Sequence, residues 1–331
     1  MRHYHHLSIT ERENLLVLHT QGHSMRSIAR TLSRSVSTIS RELKRNDPAK
    51  YSAIAAQKDY TKRRKKSRRK RLLDRPQLYE KVAYLFLHLQ WSPEQIAARL
   101  KHEQYPFPIS YTTIYRAIYA RMFDPPGISR GHRGAVRKLR HRGKRRRPGK
   151  AEETRGKIRV THQIHDRPKA AETRREFGHW EADTVVGKRG SACLVTLTDR
   201  RSRFLLAARS DSIKSEDVKE VLLRLLAPLP SNRRRSVTPD RGVEFAKHAE
   251  VSRRLGGLPF YFADPRAPWQ RGTNENTNGL IREYLPKHFD MADCTQQQID
   301  DYIHKINLRP RKCLDWKAPY EAFFCKVLHF T

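Results

Sequence analysis

Acidic side chains are scarce in this chain: 34 Asp and Glu stand against 69 Lys and Arg, a formal net charge of +35 over 331 residues. That imbalance argues against a cationic partner and for a polyanion, because each Lys or Arg that neutralises a phosphate releases a bound counterion. Cysteine is also sparse. The four present, Cys193, Cys294, Cys313 and Cys325, form no Cys-x-x-Cys pair, which speaks against a zinc knuckle or a disulfide framework and for reduced thiols. Long apolar runs are missing. The longest, around residues 82–89, is interrupted by His88 and is too short to span a bilayer. The first ten residues, MRHYHHLSIT, lack the apolar stretch of a secretory leader, so a cytoplasmic location and no membrane partner are expected. His19 and His23 lie four apart with no Cys pair following, and are read as solvent-facing or capping residues rather than zinc ligands.

The cations that are present cluster. Residues 62–71 (KRRKKSRRKR) and 137–150 (RKLRHRGKRRRPGK) each hold nine basic and no acidic side chains, together about half of the net charge. The other half is spread over segments that read as folded, as expected of a nucleic-acid-binding protein.

Residues 8–46 read as three short helices. Thr10-Glu11-Arg12-Glu13 looks like a capping box ahead of Leu15, Leu16 and Leu18, and Gly22 ends that helix. Ser24 opens a second helix with Ile28 and Leu32 inward; Ser33-Arg34-Ser35 turns into a third with Val36, Ile39 and Leu43 inward. This spacing is that of a helix-turn-helix. Its third helix leaves Ser37, Thr38, Ser40, Arg41 and Lys44 outside, side chains of the kind that reach base edges and phosphates in a major groove. A second helical unit starts at Ser92-Pro93-Glu94-Gln95, with Ile96 and Leu100 inward. After a turn with Pro106 and Pro108, Ser110 caps a helix with Ile114 and Ile118 inward and Thr112, Thr113 and Arg116 outside. The expected layout is a helix-turn-helix domain over 1–60, a basic linker over 61–75, a second helix-turn-helix-like domain over 76–123, a basic arm over 124–176 and a catalytic domain over 177–331.

From Trp180 the period changes to two. Residues 179–186, 192–199, 204–209, 236–240 and 259–263 read as strands, with a hairpin turn at Gly187-Lys188-Arg189-Gly190. Helices are expected over 215–229, 245–255 and 273–284. The order β-β-β-α-β-α-β-α is that of an α/β ribonuclease-H-like fold with a mixed five-stranded sheet.

That order carries the chemistry. It places Asp183 within the first strand, Asp240 at the end of the fourth, which pairs beside the first, and Glu275 on the first turn of the following helix. Three converging carboxylates need cations, and hard oxygen donors suit Mg²⁺ or Mn²⁺. Two such ions would stabilise the attacking and leaving oxygens of an in-line phosphoryl transfer. Arg271, Gly272, Thr273 and Asn274 offer donors to phosphate, and Arg282 shares a helix face with Glu275. Glu181 lies on the strand face of Asp183 and competes with it as a ligand. Trp180 is read as core, and Trp269 as a base-stacking or packing residue.

The blocks SVSTISRELKRN, WSPEQIAARL, GHWEADTVVGK, TPDRGVEFAKH, YFADPRAPWQRGTNENTNGLIREYLPK and INLRPRKCLDWKAPYEAF resemble transposases of the insertion-sequence-thirty family of bacterial mobile elements. The resemblance implies a DD-E triad falling on Asp183, Asp240 and Glu275 with Arg282 as its basic partner. It also implies terminal inverted repeats read by the N-terminal modules, and Mg²⁺-dependent strand cleavage and transfer. The chain departs from that pattern at Ala182, Pro239 and Arg241. Double-stranded DNA, as element ends and target, is the expected partner, with a homodimer or larger assembly bringing two ends together. A repressor with an inactive catalytic half, and a nuclease that cuts without joining, are the alternatives.

Overall fold

The computed structural model describes residues 5–46, 50–67, 70–128, 134–139, 160–188, 192–265 and 267–330. The chain divides into two compact units, Met1–Asp74 and Arg75–Thr331.

In the first unit α1 (Ile9–Thr20), α2 (Met25–Thr31) and α3 (Val36–Arg45) each start at a serine, Ser8, Ser24 and Ser35, whose hydroxyl accepts a first-turn N–H. The capping box of α1 is therefore Ser8 with Glu11, two residues earlier than the Thr10–Glu13 box expected: Ser8 N donates to Glu11 Oε2 at 2.7 Å and Glu11 N to Ser8 Oγ at 3.2 Å. Gly22 turns the chain at φ +79°. Leu15, Ile28, Ile39 and Leu43 form the core, but Val36, on the first turn of α3, is 42 % exposed. A buried ion pair crosses this core. Arg12 donates from Nε to Glu42 Oε1 at 2.7 Å and from Nη1 to Gln57 Oε1 at 2.6 Å, tying α1 to α3 and to α4 (Ala53–Lys66). The first half of the 62–71 run is thus the last turn of a packed helix, where cations complement the helix C-terminus; Arg68 and Arg69 lie outside the described residues.

Glu11 supplies a pH handle on this unit. Its hydrogen bonds from Arg34, at 2.8 and 3.2 Å, hold its pKa down at about 2 from an ordinary 4.5. A depressed carboxylate stabilises the fold above its unfolded pKa, and that contribution is lost as pH falls through the folded value. The protection of α1 amides, taken relative to their intrinsic exchange rates at each pH, is expected to fall between pH 4.5 and 2 in the wild type, and to show a smaller pH dependence in Glu11→Gln.

The second unit begins with α5 (Pro76–Ala83), which passes through a single wide turn at Tyr84–His88. Then come α6 (Pro93–His102), opened by the expected Ser92–Gln95 capping box, and α7 (Tyr111–Tyr119), capped by Ser110. Ile96, Leu100, Ile114 and Ile118 are buried between them. The ends of the expected basic arm fold onto this unit. A short 3-10 helix spans Gly134–Lys138, and β1 (His162–Gln163) and α8 (Lys169–Glu172) follow. The rest of the arm, 129–133 and 140–159, lies outside the described residues, as do 189–191 of the expected hairpin turn.

The sheet comprises β2 (His179–Val186), β3 (Cys193–Asp199), β4 (Leu205–Ser210) and β5 (Ser236–Thr238), in the order β4-β3-β2-β5. β2 pairs antiparallel with β3 and parallel with β5, with Glu181 opposite Thr238. The expected fifth strand does not join this ladder in full. Only Phe260 bridges to Val237, while β6 (Tyr261–Phe262) pairs in parallel with β1. The mixed sheet is therefore four-stranded beside a two-stranded ribbon. Pro239 accounts for the short β5, since it has no N–H to continue a ladder.

Along β2 the side chains alternate. Trp180 and Ala182 enter a core with α9 (Ser215–Leu226) and α10 (His248–Arg254). On the other face Val185 packs with residues of α11 (Gly272–Tyr284) and α12 (Gln296–Asn307). Glu181 and Asp183 share that second face, under α11. The last helix, α13 (Pro319–Phe324), brings Phe323 against Trp180.

Candidate active site and nucleic-acid interface

Asp183 and Asp240, 57 residues apart in sequence, meet across the β2–β5 edge. Asp183 Oδ1 accepts the Thr184 N–H at 2.9 Å, and Oδ2 accepts Asn278 Nδ2 of α11 at 2.7 Å. Asp240, beyond Pro239, accepts the Gly242 N–H at 3.0 Å. A Cβ at Gly242 would stand 2.2 Å from a Glu244 carboxylate oxygen, so a larger residue there would have to displace the end of that side chain. One guanidinium serves both acids. Arg271 lies 3.9 Å from Asp183 Oδ1 and 3.3 Å from Asp240 Oδ2. Burial pushes the Asp183 pKa up, Arg271 works against that, and the charge of Asp240 raises it further.

This pair fits a divalent cation. Its donors are hard oxygens, two negative charges converge, and the guanidinium between them already does part of a cation's work. Glu275 is not gathered with them. It lies on the exposed first turn of α11, and among the described residues no group of three His, Cys, Asp or Glu stands close enough to hold a metal. Asn278, three residues further on, is the side chain through which α11 reaches Asp183. Its place in TNENTNGLIREY, one turn past the glutamate, was the available signal.

Several other expected roles fall differently. Glu181 is fully buried, takes Arg200 Nη1 as an ion pair and accepts the Asn274 N–H at 3.0 Å. Because α11 has no side-chain N-cap of its own, Glu181 supplies one from β2 and so positions the helix that carries Asn278 and Glu275. Asn274 is buried and donates to the Ala182 carbonyl at 3.1 Å, and Arg271 is committed to carboxylates, so neither is presented to phosphate. Arg203 adds a hydrogen bond to Thr273 Oγ1 at 2.7 Å. Arg282 donates to the Val186 carbonyl at 2.6 Å, tying α11 to the end of β2. Trp180 is core, with its indole N–H on the Arg233 carbonyl, whereas Trp269 is 76 % exposed.

On α3, Ser37, Arg41 and Lys44 are exposed, while Thr38 and Ser40 are half-buried and Thr38 contacts Ser35 Oγ at 2.8 Å. On α7, Thr112 and Arg116 are exposed and Thr113 is half-buried against Ser110.

Comparison with known proteins joins these parts. A helix-turn-helix domain family matches residues 3–46. The transposase InsI for insertion sequence element IS30A of Escherichia coli is 39 % identical over 322 residues, 96 % of this chain and 82 % of that one. The chain belongs to the IS30 family of transposases. The transposase for IS1086 of Cupriavidus metallidurans is 37 % identical over 96 % of this IS30-family chain and 94 % of its own length. That for IS4351 of Bacteroides fragilis is 35 % identical over 91 % and 90 %.

The three departures of this IS30-family chain have structural places. The Ala182 methyl is buried in the core face of β2. Pro239 ends β5 and its carbonyl accepts the Ala263 N–H at 3.5 Å. Arg241 donates to the Ala263 carbonyl at 2.8 Å and to Gln163 Oε1 at 2.9 Å, fastening the β1–β6 ribbon beside Asp240. None of the three removes a carboxylate.

Proposed function

We propose that this IS30-family chain cuts the ends of its insertion sequence and joins them to target DNA on a ribonuclease-H-like domain, with Asp183 and Asp240 as the gathered metal-holding pair and Glu275, which stands apart from them on the exposed first turn of α11, completing the triad when metal and DNA bind. The meeting of Asp183 and Asp240 at one guanidinium carries this reading. Two Mg²⁺ ions bound by the triad would neutralise charge on the phosphoryl group and lower the pKa of the attacking water or 3′-hydroxyl. The chain's own part is positional. Asn278 and the Thr184 N–H fix the Asp183 carboxylate, the Gly242 N–H fixes Asp240, and Glu181 holds the first turn of α11 on which Glu275 stands.

The deciding experiment incubates the full chain with end-bearing DNA, a target duplex and Mg²⁺, with Glu275→Gln in parallel. Joined product is expected from the wild type, and at least ~10³-fold less from the variant, about 4 kcal/mol of lost transition-state stabilisation. Wild-type joining by Glu275→Gln would remove the triad. Binding without metal-dependent chemistry would make the chain a repressor, and cleavage of the ends with no joining of a substrate that already bears a free 3′-hydroxyl would make it a nuclease.

The helix-turn-helix units are proposed to read the inverted repeats through α3 and α7. Arg41→Ala and Lys44→Ala are each expected to lower the slope of log affinity against log salt by ~0.9, as one lost phosphate contact does. Unchanged slopes would place DNA elsewhere on this unit. Joining requires two ends in one complex, so at least a dimer is proposed on DNA, to be checked by sedimentation of the complex.

A further inference from the structure

The basic run starting at Arg137 is left without a role by the proposed chemistry, yet its first residues form one wall of a cavity of about 570 Å³ beside α11. Gln90, Arg137 and Lys138 lie on one side; Gly279, Arg282 and Glu283 of α11 lie on the other. Three of these six are cations. The single acid, Glu283, is already paired with Arg309 at 2.8 Å. The electrostatics therefore favour an anion.

The position indicates which anion. Glu275, Gly279 and Arg282 follow at i, i+4 and i+7, so the cavity continues the helix face that carries Glu275. From Glu275 to Arg282 the helix rises ~10 Å, roughly three base steps of a DNA strand. Gly279 is unfavourable inside a helix by ~1 kcal/mol relative to Ala, and here it lowers the floor of the cavity where a backbone would cross. Arg282 has Nη2 fixed on Val186, while its Nη1 is buried without a hydrogen-bond partner among the described residues. An unmet buried donor is costly, and a phosphate oxygen is the strongest acceptor a guanidinium can be offered. Ala135 anchors this wall by donating its N–H to Asp124 Oδ1 at 2.6 Å.

We infer that this cavity seats the phosphodiester backbone of the DNA strand next to the cleavage junction, with Arg137 and Lys138 on one side and Arg282 on the other. The inference rests on the proposed strand-transfer function and specifies where the strand approaches the carboxylates.

Arg137 and Lys138 are exposed, so an Arg137→Ala/Lys138→Ala double variant of the full chain should keep its fold. Its DNA affinity is measured against salt in EDTA, on one duplex spanning the repeat and the cleavage junction and on another truncated short of the junction. On the spanning duplex the slope is expected to fall by ~1.8, two phosphate contacts; on the truncated duplex it should not change. Equal loss on both duplexes would mean general charge attraction, and no loss on either would leave the cavity empty of DNA; each result overturns the inference. Joining by Glu275→Gln is scored separately. Its loss together with unchanged slopes leaves the function standing without this seat. Its retention together with the junction-specific slope leaves the seat without the triad.

Discussion

Asp183→Asn is expected to abolish strand joining while making the metal-free protein more stable at neutral pH. The first half follows from the proposed role: a carboxylate that would hold a cation at the reacting phosphoryl group is replaced by a neutral amide, and a loss of at least ~10³-fold is expected. The second half follows from the Asp183 pKa, which burial and Asp240 raise against the pull of Arg271. For an acid with a raised folded pKa, ionisation opposes folding. Stability is highest below the unfolded pKa, and the group's contribution is lost as pH rises through the folded value. Asn has no charge to desolvate, and its carbonyl can still accept the Thr184 N–H. In EDTA the variant should therefore unfold at a higher temperature than the wild type at pH 7, and the two midpoints should converge as the pH falls into the carboxylate range. The same comparison tests the alternative that Asp183, Arg271 and Asp240 form a purely structural ion-pair network. Removing one partner from a net-favourable buried network destabilises. An Asp183→Asn protein that is inactive and less stable at pH 7, with no convergence on acidification, would favour that alternative. Inactivity combined with added stability is the signature of a site strained for function.

How much of this was legible beforehand depends on the range of each interaction. Cap and stripe signals are local, so Ser24, Ser92 and Ser110 mark helix starts, and the period-two runs of β2, β3 and β4 appear close to where they were expected. Even locally, two candidates compete at the same spacing, Ser8 with Glu11 and Thr10 with Glu13, and it is Ser8 that caps α1. The fifth strand was misjudged for a reason present in the chain, the proline that ends β5, and for one that is not: the pairing of β6 with β1 depends on residues about a hundred positions away. The carboxylates follow the same division. Topology alone brings Asp183 beside Asp240, because parallel strands put their ends together. It does not reveal that Glu181, equally acidic and on the same face, is consumed by Arg200 and a helix N–H. Charged side chains announce their presence in a sequence but not their partners. In a chain this rich in arginine, partner choice decides which acids are left for a cation.

The largest loss of stability is expected from Arg99→Met, at a residue no motif singled out. Arg99 is 1 % exposed on α6 and uses all five of its N–H groups. Nε donates to Glu103 at 2.5 Å. Nη1 donates to Glu321 at 2.6 Å and to the Trp316 carbonyl at 3.0 Å, and Nη2 to Glu321 at 2.8 Å and to the Leu328 carbonyl at 2.6 Å. The guanidinium also covers the Phe330 ring at 4.9 Å. One side chain thus fastens the chain's last fifteen or so residues to the second helical module, aided by Lys81 on the Phe330 carbonyl and Gln95 on the Pro310 carbonyl. Methionine would keep most of the volume but strand two buried carboxylates, and such a loss destabilises by ~3–5 kcal/mol. Lysine should recover little, since a single ammonium with three donors cannot span the positions held by a planar fork. Burial works to raise the Glu321 pKa, but Arg99 and the N–H groups of Ala318 and Leu328 hold it below the ordinary range. Its stabilising contribution is therefore full above the ordinary carboxylate pKa and disappears as the pH drops through the depressed one. Urea unfolding of Arg99→Met, Arg99→Lys and Glu321→Gln at pH 7 and pH 4 checks both statements. A change under ~1 kcal/mol for Arg99→Met would show that the tail is held by apolar packing around Trp91 and Phe330 instead. With the expected value, the helical module bearing Thr112 and Arg116 is fixed by a buried clamp to the C-terminal helix that packs on the strand bearing Asp183.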